Sequence, residues 1–145
     1  MKAADPFDLG RFIAAQSGVF DTALAELRGG RKQTHWMWFI FPQLRGLGSS
    51  AMAQRYGIAS IDEARAYLAD QVLSERLELA TSAVLGLEGR SAHAIFGSPD
   101  DLKFRSSMTL FREAADPARP LFRLALDKYF EGLPDSKTLD LLRGH

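Results

Sequence analysis

Apolar residues recur at three- and four-residue spacing along most of the chain, and each run is cut by a glycine, a proline or a capping residue. Leu9, Phe12, Ile13 and Gln16 share one helical face. Asp5-Pro6 ahead of them reads as an N-cap and first-turn pair, and Ser17-Gly18 as the break behind them. Val19, Ala23, Leu24 and Leu27 form a second face, ended by Gly29-Gly30. Thr34 is placed to cap the aromatic run that follows, and Pro42 to end it. Ser49 and Ser50 open a short turn through Tyr56, which Gly57 stops.

Ser60-Ile61-Asp62-Glu63 is a capping box, in which the hydroxyl and the carboxylate satisfy each other's orphan N–H groups. It opens a helix carrying Ala64, Tyr67 and Leu68. Val72, Leu73, Leu77, Ala80, Val84 and Leu87 keep the helical period as far as Gly89, and a short helix from Ser91 closes at Gly97. Ser98-Pro99-Asp100-Asp101 is the strongest helix start: a cap, a preset φ, and two carboxylates facing the positive end of the dipole. That helix is predicted to reach Ala114 or Ala115. Asp116-Pro117 repeats the device for a helix carrying Leu121, Phe122, Ala125, Leu126 and Tyr129, with Pro120 tolerated in its first turn and Gly132 as stop. A last helix runs from about Asp135 to Leu142.

No segment alternates at period two for long. Trp36 to Phe41 has the composition of a buried strand, but a lone strand would leave its backbone unpaired. It therefore reads as a helix, or a helical turn entering an extended Phe41-Pro42. The fold class is all-α: one compact domain over 1–145, of about eight short helices around one core.

Composition narrows the function classes. A chain of 145 residues buries enough surface for one core without staples. With no cysteine, disulfides, zinc ribbons, iron–sulfur clusters and thiol nucleophiles are excluded, and a reducing cytoplasm is the expected location. Basic and acidic residues balance at 18 each, so no overall field draws the molecule to a polyanion, and nucleic acid is not an expected partner. MKAADPFDLG has no apolar leader region, and the longest apolar run is too short to cross a bilayer, so no membrane association is expected.

The candidate chemistry centres on RGGRKQTHWMWFIFPQLRGLGSS, from Arg28 to Ser50. Most of its aromatic residues suit a core. Trp36 and Trp38, two positions apart, project about 200° from one another at helical pitch, so one can pack inward while the other borders a cleft. His35 stands at the edge of that segment as a candidate base or polar contact. A metal is not expected: His93 and His145 are distant and no HxH or HxxxH pair exists. Arg31 and Lys32 follow a glycine pair, an anion-binding arrangement, although no P-loop motif is present. Gln43 lies just past the proline. The helix from Asp100 offers Asp101, Lys103, Ser106 and Ser107, with Lys103 and Ser107 sharing a face. Paired serines in mid-helix are chosen for small size or for hydrogen bonding.

Taken together, GRKQTHWMWFIFPQLRGLGSS, FDLGRFIAAQ, RYGI with DEARAYL, and IFGSPDDLKFRSSMTLF resemble the bacterial family called domain of unknown function 1810. Some of its members carry the label calpastatin. The resemblance spans Phe7 to Tyr129 and implies a mainly helical single domain. It implies no activity, cofactor or catalytic residue that could be carried over. Polar positions concentrate within it, which favours a polar pocket beside an aromatic wall.

The expected function is a small-molecule site for an anionic, nucleotide-like or sugar-phosphate-like ligand. Arg31 and Lys32 would hold the anion, and Trp36 or Trp38 would stack on the ring. Gln43, Ser106 and Ser107 would add polar contacts, and His35, Asp101 and Lys103 acid–base groups. The stretch from Arg31 to Gln43 and the stretch from Asp101 to Ser107 are expected to share one hollow. No cofactor is expected. The alternative is a protein-interaction module that docks a protein partner on an exposed aromatic patch.

Overall fold

The computed structural model describes residues 4–144; the leader reading at Met1–Ala3 and the reading of His145 lie outside them. The described residues form ten helices rather than about eight: α1 (Gly10–Gln16), α2 (Phe20–Arg28), α3 (Met37–Ile40), α4 (Ala51–Tyr56), α5 (Ile61–Ala69), α6 (Gln71–Leu85), α7 (Ala92–Phe96), α8 (Asp100–Ala114), α9 (Leu121–Phe130) and α10 (Ser136–Arg143). Among the described residues there is no strand, only an isolated parallel bridge between Leu44 and Ile58. Among the described residues no helix is long and apolar enough to cross a membrane.

α8 is the central element. Phe104, Met108, Leu110 and Phe111 along it are buried, and α5, α7, α9 and α10 pack around it. α6 closes the other side of the core against α2, α5 and α9. A chain of aromatic contacts runs through the centre, with Phe41 5.0 Å from Phe104 edge-on and Phe104 stacked 4.6 Å from Phe96.

Side-chain caps set many of the boundaries. Ser50, Ser60, Asp70, Ser91 and Asp135 each accept from the backbone N–H three residues on. The box at Ser60 closes one residue early: Glu63 returns its carboxylate to the Ala59 N–H, 3.0 Å away, and its other oxygen takes Arg11 at 2.8 Å.

Other predicted starts move. Asp5 does not open a helix at Pro6. Its two oxygens accept from Leu9 N and Gly10 N, Asp8 turns to φ 53°, and α1 begins only at Gly10. Ser98 caps nothing; α8 starts behind Pro99 without a side-chain cap. Asp116 accepts from Ala118 N in a turn, and α9 waits until Leu121. Thr34 does not cap the aromatic helix, because its hydroxyl donates to Glu26 Oε2 instead.

The aromatic run makes a single four-residue turn, α3, which ends at Phe41 (φ −123°, ψ 75°), neither helical nor fully extended. So short a helix is held from outside. Gln16, buried, donates to the Phe39 carbonyl at 2.7 Å and bonds the Tyr67 hydroxyl at 3.1 Å, while Arg76 donates to its oxygen at 3.2 Å. Past Pro42 the chain runs against 57–58, with Arg45 N donating to Ile58 O and Ile58 N to Gln43 O. Gly57 permits this approach: a Cβ there would lie 2.8 Å from both the Ala53 carbonyl and Arg45 Cβ.

Candidate functional site

A surface groove of about 610 Å³ lies between the 47–50 loop with α4 and the first turns of α8. Trp38 and Gln43 form one wall with the loop; Lys103 and Ser106 form the other, and Asp135 and Lys137 close the α10 end. Such a volume falls within the usual range for small-molecule sites.

The two tryptophans diverge. Trp36 is fully buried, packs 6.2 Å from Phe41, and its indole N–H donates to Glu26 Oε1 at 3.0 Å. It has no face open to a ligand. Trp38 is half-buried and lines the groove. Lys103 Nζ stands 4.9 Å from its ring centroid, and Lys32 Nζ stands 5.1 Å from the ring of Trp36. Asp100 joins the two pairs, accepting from Lys32 at 3.0 Å with one oxygen and from Lys103 at 3.1 Å with the other. Two ammonium groups share one carboxylate, so the bridge keeps a net positive charge beside the groove.

Chain geometry places these groups. Lys32 N donates to Ile95 O at 2.7 Å, which brings the 29–32 loop alongside the turn that opens α8. Lys103 follows Asp100 by one helical turn, the spacing at which side chains meet. Ser106 keeps its hydroxyl on the Leu102 carbonyl at 3.1 Å while lining the groove.

Glu26 fixes the entry to the aromatic run. Its carboxylate accepts from Gln33 N, Thr34 N, the Thr34 hydroxyl and the Trp36 indole. Burial pushes this carboxyl up, but the four donors together outweigh burial and hold it at about 2. Burial likewise pushes the Tyr67 phenol up, against the opposing hydrogen bond from Gln16.

Of the candidate site residues, Trp38, Gln43, Lys103 and Ser106 meet in the groove. Arg31 and Lys32 border a different hollow, with Arg90 and His93. Asp101 turns toward His93, whose Nδ1 is 3.5 Å from its carboxylate, and His35 is exposed and away from the groove lining. Ser107 is buried, and its hydroxyl has no partner. So Lys103 is the one member of the His35, Asp101 and Lys103 set that reaches the groove. The exposed aromatic patch does not form, because Trp36, Met37, Phe39, Ile40 and Phe41 are all buried.

Asp100, Asp135 and Lys137 were not among the sequence candidates. The spacing of Asp100 and Lys103 could have flagged the bridge; nothing local marks Lys137. Among the described residues no three His, Asp or Glu side chains gather as a metal-binding set.

Helical packing around α8, with a surface groove beside it, defines a small compact helical protein. The chain belongs to the family described as Protein of unknown function (DUF1810), whose profile matches residues 6–142. It is similar to the conserved hypothetical protein Rv1873 from Mycobacterium tuberculosis, known from a crystal structure. The two are 55% identical over 96% of this chain and 99% of that one, with a TM-score of 0.94. No curated protein matches the chain.

Proposed function

We propose that the groove binds a small anionic molecule carrying a ring, nucleotide-like or sugar-phosphate-like. The supporting observation is Lys103 held between the Trp38 ring and Asp100 at the edge of a hollow of about 610 Å³. The indole offers a stacking surface and Lys103 a charge already positioned, so a ring and an anionic group can be met together. Gln43, Ser49, Ser50 and Ser106 supply hydrogen-bonding groups for hydroxyls, and Lys137 adds a second cation at the far end. With Asp101 and His35 directed elsewhere, the reading rests on recognition of a ring and a charge by Trp38 and Lys103.

A thermal-shift screen of nucleotides and sugar phosphates tests this. A binding compound raises the melting temperature of the native chain. Lys103→Ala and Trp38→Leu each abolish most of that rise. A rise that survives both substitutions places the ligand elsewhere and overturns the reading.

A further inference from the structure

We infer that the hollow bordered by Arg31, Lys32, Arg90 and His93 is a second anion site, taking inorganic phosphate or the phosphoryl group of a small phosphomonoester. It is an open surface hollow of about 400 Å³ between the 29–32 loop and α7.

Arg90 is the built element. Its Nε donates to the Gly30 carbonyl at 2.7 Å and its Nη2 to the Ala94 carbonyl at 3.0 Å, so the guanidinium is fixed across the loop and α7. Among the described residues its Nη1 has no hydrogen-bond partner. Gly30 makes room for this side chain: it lies at φ +84°, and a Cβ there would be 3.0 Å from Arg90 Cδ.

Charge points the same way. Among the described residues neither Arg31 nor Arg90 has a carboxylate partner, whereas Lys32 is paired with Asp100 and His93 faces Asp101. Asp100 is itself shared with Lys103. The hollow therefore has a cationic surplus contributed by two arginines, whose charged N–H donors suit the oxygens of a phosphoryl group. It is confined, on a chain of zero net charge, which favours a small ligand over a polynucleotide. The 400 Å³ leave room for an organic part beside the phosphoryl group.

The site is lined by residues other than those of the Trp38 groove, and the test separates the two. Inorganic phosphate is titrated into the ¹⁵N-labelled chain at constant ionic strength. The amides of Arg31, Lys32, His93 and Gly97 shift with saturation. Arg31→Ala, an exposed change, weakens the binding about tenfold, the loss of one charge-assisted contact. Arg90→Lys, which keeps charge and loses the fork, weakens it similarly, with its melting temperature measured as a folding control. Lys137→Ala, at the far end of the Trp38 groove, leaves phosphate affinity within about twofold, since its charge lies outside the hollow. Linear, unsaturable shifts, saturation centred on Trp38 and Lys103, or an unchanged Arg31→Ala response each overturn the proposal.

Discussion

Lys103 and Trp38 are held together at the groove edge, with the ammonium nitrogen 4.9 Å from the ring centroid. The contact leaves Trp38 half-buried while its neighbour two residues back is sealed in the core. The two indoles should thus differ in solvent access. In Trp36→Phe the remaining fluorescence, from Trp38, is quenched by acrylamide. In Trp38→Phe the remaining indole, Trp36, resists quenching. Equal quenching of the two variants would contradict the arrangement.

Glu26 makes stability depend on acid. Its carboxyl is lowered from the ordinary 4.5 to about 2 in the folded chain. A carboxyl lowered by folding contributes stability that is complete above the unfolded value and is lost as pH falls through the folded one. The gap in melting temperature between the native chain and Glu26→Gln should therefore be widest above about pH 5 and shrink toward pH 2. A gap that stays constant over that range would show that Glu26 is not the titrating group.

Ser107 contributes an unpaired hydroxyl to the core beside well-packed neighbours. Ser107→Ala removes a polar group that gains nothing from burial. Chemical denaturation should show it neutral, or stabilising by up to about 1 kcal/mol. A loss of about 2 kcal/mol or more would reveal a partner for that oxygen.

Gln16 is the opposite case. It bonds the Phe39 carbonyl and the Tyr67 hydroxyl and accepts from Arg76. Gln16→Leu leaves buried groups unsatisfied and should cost about 2–3 kcal/mol in denaturant unfolding. Because the Phe39 carbonyl belongs to α3, the loss should be accompanied by a change in the near-ultraviolet circular dichroism of the tryptophans.

Gly57→Ala drives a methyl group into the Ala53 carbonyl and Arg45. The 43–45 and 57–58 segments must part to accept it, at a cost of about 1–3 kcal/mol, read as a lower denaturation midpoint.

Helical periodicity made the architecture legible, because amphipathic faces are local properties. Ser50 and Ser60 were readable as caps for the same reason. Helix starts at Asp5, Ser98 and Asp116 moved because a carboxylate or proline favours a turn as readily as a first helical residue. Part of the candidate site was within reach of sequence. Trp38, Gln43, Lys103 and Ser106 share the groove, whereas Ser107, one residue past Ser106 and about 100° around the helix, falls into the core. Thr34 escaped because its partner, Glu26, is eight positions upstream across a chain reversal. Lys137 depends on where α10 returns to α8, a tertiary fact that no local pattern encodes.

Arg11 knots the amino-terminal arm into the body of the molecule. One guanidinium donates to the carbonyls of Phe7, Asp8, Arg55 and Gly57 and to the Glu63 carboxylate. That arm is consequently a structural member rather than a trailing tether. A fragment trimmed to begin at α2 would strand one oxygen of Glu63 and two carbonyl acceptors at once, so a stable piece of this fold has to keep Arg11.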